Sequence, residues 1–475
     1  MATLIEQAPI TYSPMPVGQQ IMFTISNTPI VNNNFNVKFC AAVHVASTLI
    51  DLNSTADLVG TFKTTPNATG VGIFDLRTVI ETFLKPDQEP KQHYWATATY
   101  KGVWVGDKSF PLHLVDKYAM SRDSIAHFAV NFYVEYSTTP LGPITSDILN
   151  PEPSDLYTMF NGVLQYDDVL DVFNDGYGFN MKHYHLKIMG LKNYQSFLTD
   201  SPTTQYASLG DYGTFPFLNI YPTGNANALG SIAINYYNSA GGSLGSDSID
   251  NFNSNGGQPT LGSSAYTRLN YLGVFPGNLE NWSTTFAAAV VNATPLAYYT
   301  IRAYDTTGIS TLSEIYTIKI ICPNLKGYSP VRLTWLNKWG VWDYYTFNMK
   351  STKTVNSKRI PYNQMAGTWN ESTFKIRGYK GGKKNFRVNS TEKIKINTDF
   401  VTEAEGIWFE QLISSTEVYV LEGFQTDGTY SSYNTYVQPA TLTTSSYIRK
   451  TIANDRLMQY TFEIEKSKME RTQAV

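Results

Sequence analysis

Three short constellations in this 475-residue chain combine residue types that could do chemistry. His183-Tyr184-His185 puts two imidazoles on one face of a strand, a geometry that can serve a metal. A zinc-type site needs three or four ligands, and no Cys or His cluster elsewhere supplies them, so a satisfied surface pair is the preferred reading. Asp167, Asp168 and Asp171 offer paired carboxylates of the kind used in general acid–base catalysis, with an ordinary acidic loop as the simpler account. Lys380-Gly381-Gly382-Lys383-Lys384 has the composition of a phosphate cradle but not the G-x-x-x-x-G-K-[ST] order, and it lies between strand-like runs rather than ahead of a helix. No G-x-S-x-G elbow occurs, and neither Cys40 nor Cys322 neighbours a histidine in sequence. The sequence therefore assigns no catalytic residue, no cofactor and no metal ligand, and a protein that is not an enzyme is expected. Carboxylate pairs of glycosidases leave little local signature, so a glycan hydrolase is kept as a third reading.

Charge segregation says more than any of these motifs. Twelve of the 36 Lys and Arg fall between Lys350 and Lys395, a segment with only Glu371 and Glu392 as acids. Between Arg122 and Lys182 there is no Lys or Arg, while Glu135, Asp147, Glu152, Asp155, Asp167, Asp168, Asp171 and Asp175 all occur. Two solvated faces would account for this pattern. The sharper reading sets a basic face, including Lys380, Lys383, Lys384 and Arg387, against an acidic face of an adjacent subunit, including Asp167, Asp168 and Asp171. Complementary fields of that kind fix register and speed association. If the same cations lined a channel, they would touch passing DNA phosphates without sequence preference.

The elements that position these residues read as strands. Aromatics make up 14% of the chain, with 33 tyrosines, against 16% charged residues, which favours strands and broad contact surfaces over helices. A net charge of −3 gives no global attraction to nucleic acid or to an anionic membrane. Cys40 and Cys322 sit in apolar strand-like contexts and read as buried free thiols rather than a staple. No apolar run approaches the roughly 18 residues that span a bilayer, so no membrane association is expected. The first residues lack a basic start and an apolar stretch, so folding in a cytoplasm is expected.

Length suggests about three domains. Residues 1–120 read as an immunoglobulin-like β-sandwich: Ile21, Phe23 and Ile25 alternate, as do Phe35, Val37, Phe39, Ala41 and Val43. Asp75 stands as N-cap for a helix over 76–84, and further strands are expected over 94–100 and 110–115. Residues 121–325 form a looser β-rich middle domain. It contains an Asn161-Gly162 hairpin pair and a Gly/Ser/Asn-rich loop over 239–264 whose order would depend on a partner. Residues 326–475 read as a β-sandwich or partial barrel. Thr373–Arg377 and Lys393–Ile396 alternate as half-buried strands, Thr402 and Glu405 make a capping box for a helix over 402–414, and strands follow over 417–421, 447–452 and 460–465.

Its centre is Arg332 to Lys350, where three tryptophans, two tyrosines and a phenylalanine fall within nineteen residues. Two strands joined by Asn337-Lys338-Trp339-Gly340 would place Trp335, Trp339, Trp342, Tyr345 and Phe347 in a core. This hairpin, with its V-R-L-T-W-L-N and D-Y-x-T-F-N-x-K-S-T runs, resembles a segment of structural proteins of crAss-like tailed bacteriophages and their relatives infecting Bacteroidetes. The connection departs from the usual L-G-G, keeping only Gly340 of the glycine pair. Ser13–Val17 followed by Ile21–Ile25, Gly70–Leu76, and Glu403–Leu412 followed by Ser415–Tyr419 resemble further segments of that family in the same order, with Phe409 and Thr416 as departures. The element order of residues 326–475 is similar to tail-tube and tail-terminator folds.

The resemblance implies a virion structural protein of the tail, assembled in the host cytoplasm. Such a ring or collar would build the DNA conduit as a closed, six- or twelvefold homo-oligomer, docked to other tail, portal and muzzle proteins with transient nonspecific contact to DNA. The alternative is a tail-fibre or baseplate module whose aromatic residues stack on host-surface glycan.

Overall fold

The computed structural model describes residues 3–9, 14–47, 50–52, 54–88, 99–100, 103–104, 118–121, 123–163, 184, 186, 195–219, 229–250, 268–322, 327–422, 437–448 and 458–471. They are mainly β and divide into two units. The first takes in Met1–Ile321 together with Leu336–Asp343, and the second takes in Cys322–Trp335 and most of the chain beyond Tyr344.

Alternating side chains bury one face of each strand in the first unit. Leu4–Gln7, Met22–Ser26 and Val71–Asp75 make a three-stranded sheet. Met15–Pro16, Tyr157–Phe160, Ile125–Ser137, Phe35–Ala46 and Leu58–Thr64 stand in that order in a second sheet, and the short pieces Thr145–Ser146 and Glu152–Pro153 pair with Ile125–Ser137. The inward residues of both sheets share one core, in which the Phe23 and Phe132 rings lie 5.2 Å apart and Phe128 stacks on Tyr157 at 5.0 Å. This is the expected β-sandwich, but it does not stop near residue 120. Ile125–Ser137 pairs along Phe35–Ala46 from His127 opposite Ala46 to Ser137 opposite Phe35. Its run of buried residues on both faces is what a central strand requires, and that continuity overrides the looser local composition.

A second group of strands lies in the same unit. Thr204–Ala207, Tyr316–Ile320, Leu296–Asp305, Leu229–Asn238 and Ser243–Asp250 form a five-stranded sheet, and Phe215–Leu218, Leu269–Leu272 and Tyr118–Met120 form a three-stranded one. Here the expected loop over 239–264 is corrected: Ser243–Asp250 pairs antiparallel with Leu229–Asn238. An edge strand with one neighbour needs little apolar content, and Ile249 alone of its residues is buried. Asp247 holds the strand in place by accepting hydrogen bonds from the Tyr236, Ser283 and Thr285 hydroxyls. Residues 251–264 lie outside the described residues.

Further local expectations shift as well. Asp75 does accept a hydrogen bond from the Arg77 amide at 3.0 Å, yet the helix is only Arg77–Ile80 and tightens to a 3-10 turn over Glu81–Phe83. The tighter turn swings Phe83 into solvent while Leu76 and Ile80 stay buried. Asn161-Gly162 is not a hairpin turn; the chain there continues beside Val17 and Gly18, whose amides donate to the Phe160 and Gly162 carbonyls. Cys40 and Cys322 are both free thiols, but Cys322 is exposed because it follows the end of the strand Tyr316–Ile320. The strand expected over 110–115 lies outside the described residues, as does most of that over 447–452.

The second unit is mainly β with one packed helix, as expected, and its strands form one seven-stranded sheet. Its order is Trp342–Phe347, Val331–Leu336, Val418–Leu421, Val437–Leu442, Thr461–Lys466, Gly382–Asn397 and Thr352–Gln364. The expected helix is present as Glu403–Ser414, started by the Thr402/Glu405 capping box: the Glu405 amide donates to Thr402 Oγ1 at 3.2 Å and the Thr402 amide donates to Glu405 Oε2 at 2.8 Å. Trp408, Phe409 and Leu412 on its buried face meet Trp335, Phe347 and Phe462 of the sheet, with the Trp335 and Trp408 rings 4.9 Å apart. Thr373–Arg377 is not a half-buried strand. It belongs to the loop joining the last two strands, where Phe374 and Ile376 point outward.

Candidate functional site: an exposed basic arm

The last two strands of that sheet run far beyond their neighbours. Gly382–Asn397 pairs with Thr461–Lys466 only through Lys393–Asn397, whereas Thr352–Gln364 follows it from Lys395 out to Gly382. Ile394 and Ile396 anchor the base in the core, and every residue of Thr352–Asn363 is exposed. Glu470 bridges Ser390 beyond the base, and at about 3.4 Å per residue the two-stranded part past that bridge reaches on the order of 25 Å. Alternating β-branched and long polar residues keep it extended, and Pro361 is tolerated because it stands on the edge strand, at a bulge between Ile360 and Pro361.

Register fixes which cations share a face. The cross-strand pairs Lys358–Asn389, Ile360–Arg387 and Tyr362–Lys384 align with Thr354–Lys393 and Thr352–Lys395 nearer the base. At the base this face is neutralised: Lys393 Nζ lies 3.5 Å from both Glu463 and Glu465 carboxylates. Lys466 is bound to Glu422 and Glu392 alongside; burial works against its ammonium, but those carboxylates outweigh it and raise its pKa. Further out, Lys358, Lys384 and Arg387 have no ion-pair partner among the described residues. The arm thus carries uncompensated positive charge along its free length.

Its tip is an ordered loop. The Thr368 amide donates to the Lys375 carbonyl at 3.1 Å, the Arg377 amide to the Ala366 carbonyl at 2.9 Å and the Lys380 amide to the Arg377 carbonyl at 2.9 Å. Gly381 and Gly382 return the chain to the strand with φ of 97° and 76°, conformations that suit glycine. Glu371 ties back Lys375 and Arg377 at 3.2 and 3.1 Å. Around this frame Trp369 is 81% exposed, Ile376 and Tyr379 75% and Phe374 60%. Among the described residues with a defined side-chain environment, Trp369 is the one tryptophan on the surface.

Of the sequence-derived interface residues, Lys380 lies in the tip turn, and Lys383, Lys384 and Arg387 lie on the returning strand opposite Asn363, Tyr362 and Ile360. Asp167, Asp168 and Asp171 lie outside the described residues, as do His183 and His185. The apolar tip escaped the sequence reading because the alternation of Phe374 with Ile376 reads as a half-buried strand, and Trp369 and Tyr379 add no period of their own.

The aromatic hairpin is core, as expected, with Trp335, Trp339, Trp342 and Phe347 buried and Tyr345 half-buried. Its strands pack in the second unit, but its turn belongs to the first. There Lys338 pairs with Asp200 at 2.7 Å, the Trp339 ring lies 4.5 Å from that of Tyr184, and Trp342 Nε1 donates to the Asp87 carbonyl at 3.1 Å. The buried Asp87 carboxylate accepts from the Asp123 amide, Ser124 Oγ and the Tyr271 hydroxyl at 2.7–2.8 Å, an arrangement that ties three segments together. No group of three or more potential metal ligands occurs among the described residues.

No protein-family model matches the sequence, and no curated protein matches it. Two solved structures of Escherichia coli alpha-2-macroglobulin show slight likeness. The trypsin-activated form has 7% identity and a TM-score of 0.18, covering 84% of this chain and 23% of that one; the native conformation has 8% and 0.17, covering 83% and 22%. The chain spans about a quarter of the length of those proteins, and a likeness at this level carries no argument.

Proposed function

We propose that this chain is a virion structural protein that forms a ring or collar in the tail of a bacteriophage, is assembled in the host cytoplasm, and has no enzymatic role. The observation that carries the reading is the arm: Thr352–Asn363 is exposed throughout, Gly382–Phe386 is exposed opposite its outer end, and the arm bears uncompensated cations and an aromatic tip. A lone two-stranded ribbon gains little stability from its own burial, so an arm of this kind is explained by what it grips. An arm that meets a different surface on a neighbour makes a head-to-tail contact, and such contacts close into a ring when the rotation between copies closes. The family resemblance at the aromatic hairpin supplies the phage tail as the setting, with a six- or twelvefold ring and tail, portal and muzzle proteins as neighbours.

A second reading is favoured by Trp369 and Tyr379, exposed rings that suit stacking on host-surface glycan in a fibre or baseplate module. Light-scattering mass measurement of the chain, alone and co-expressed with its virion neighbours, separates the two. A closed high-order species supports the ring. A trimer or monomer under both conditions that is retained on host glycan rejects it in favour of the fibre reading.

A further inference from the structure

The strap between Tyr136 and Tyr157 is the arm's chemical complement. Thr145–Ser146 and Glu152–Pro153 lay this segment along the edge of Ile125–Ser137, and the Asp147 and Ser154 amides donate to the Val134 and Val130 carbonyls. It is therefore a held surface, yet Leu141 is fully exposed, Leu149 is 89% exposed, and Ile144 and Ile148 are more than half exposed. The strap contains Asp147, Glu152 and Asp155 and no Lys or Arg. Exposed leucines and isoleucines on an acidic ground match exposed aromatics on a basic ground in both apolar character and sign of charge.

We propose that the arm tip of one copy docks on residues 138–156 of a second copy, with Trp369, Phe374 and Ile376 covering the exposed aliphatics and Lys384 facing Asp147 and Asp155, while Lys383 on the opposite face of the arm adds to the positive field. The inference rests on the ring reading and gives its contact an address. Both surfaces occur once per chain and differ from each other, so each copy offers one arm and one strap. That valence makes a continuous head-to-tail series. The apolar tip supplies the area removed from water, while the cations fix approach and register.

The test places photoreactive benzoylphenylalanine at position 369 in the full-length chain and mixes isotopically heavy and light copies. Crosslinks are mapped in concentrated solution and in assembled particles. Heavy-to-light crosslinks from the tip to residues 138–156 are expected. Lys383→Glu with Lys384→Glu should weaken association about tenfold or more without lowering the melting temperature, and adding Asp147→Lys with Asp155→Lys should recover much of it. Crosslinks that stay within one copy, or that map elsewhere in an assembled ring, overturn the docking and leave the ring reading standing. A chain that never self-associates and is absent from ring-shaped particles overturns both. Insertion of the tip into phosphatidylserine vesicles, or steeply salt-dependent DNA binding lost in the Lys383/Lys384 variant while assembly is normal, overturns the docking in favour of that partner.

Discussion

A Cβ built on Gly340 would stand 1.5 Å from the carbonyl oxygen of Asn161. Gly340 also has a φ of 68°, and its amide closes the turn by donating to the Asn337 carbonyl at 2.9 Å. Both the backbone conformation and the close approach demand glycine, so Gly340→Ala is expected to destabilise the protein by roughly 3 kcal/mol or more. Chemical denaturation checks this, and a midpoint shift equivalent to less than about 1 kcal/mol would contradict the packing described.

Removing the reciprocal cap of the helix Glu403–Ser414 should have a smaller effect. Thr402→Ala deprives the Glu405 amide of its acceptor and is expected to cost about 1 kcal/mol, whereas Thr402→Ser should be close to neutral. The comparison of the two melting temperatures is the measurement, and equal loss in both would assign the effect to packing of the threonine methyl.

Acid should destabilise the first unit through His44. Burial lowers its pKa below the ordinary 6.5 against the opposing pull of Asp57 and Asp51, and its Nδ1 has no hydrogen-bond partner among the described residues. A depressed folded-state pKa means that the unfolded chain takes up the proton first. The contribution is therefore complete above the unfolded value of about 6.5 and is lost as pH falls through the folded one. Between pH 7 and pH 5 the melting temperature should fall, and less so in His44→Gln. Parallel slopes in the two proteins would remove His44 from this account.

The two thiols should differ sharply in reactivity. Burial pushes Cys40 up to about 11, and it is fully enclosed, whereas Cys322 is exposed. One equivalent of a thiol reagent should react in the native protein, with the second appearing only on unfolding, and Cys322→Ser should abolish the fast phase. Rapid labelling of both would show that the strand Phe35–Ala46 opens locally.

What the sequence disclosed was what neighbouring residues settle among themselves. Thr402 and Glu405 are three apart, so the cap that joins them is written locally, and the alternation at Phe23 and Ile25 records a face buried by its own strand. Long-range pairing was not legible. Nothing near residue 120 shows that Phe132 will stand opposite Ala41, nor that Asp247 will hold a polar strand by reaching Tyr236 and Ser283. For the candidate site, the cations from Lys350 to Lys395 were visible as a cluster because charge is a property of composition. Their projection on an arm was not, because a ribbon exposed on both faces has no buried side to impose a period on Val355, Ile360 or Tyr362.

The division of the aromatic hairpin bears on how the protein is made. Trp339 and Trp342 are interior residues of the first unit, but they leave the ribosome after Ile321, once nearly all of that unit has been synthesised. Until then the place of two indoles is vacant, and at about 5–20 residues per second the wait lasts seconds. The N-terminal two-thirds cannot mature ahead of the rest, and a gene fragment ending at Ile321 would yield a product with an unfilled interior. Completion of the first unit is timed by the arrival of its own late segment, Leu336–Asp343, which is made just before the arm.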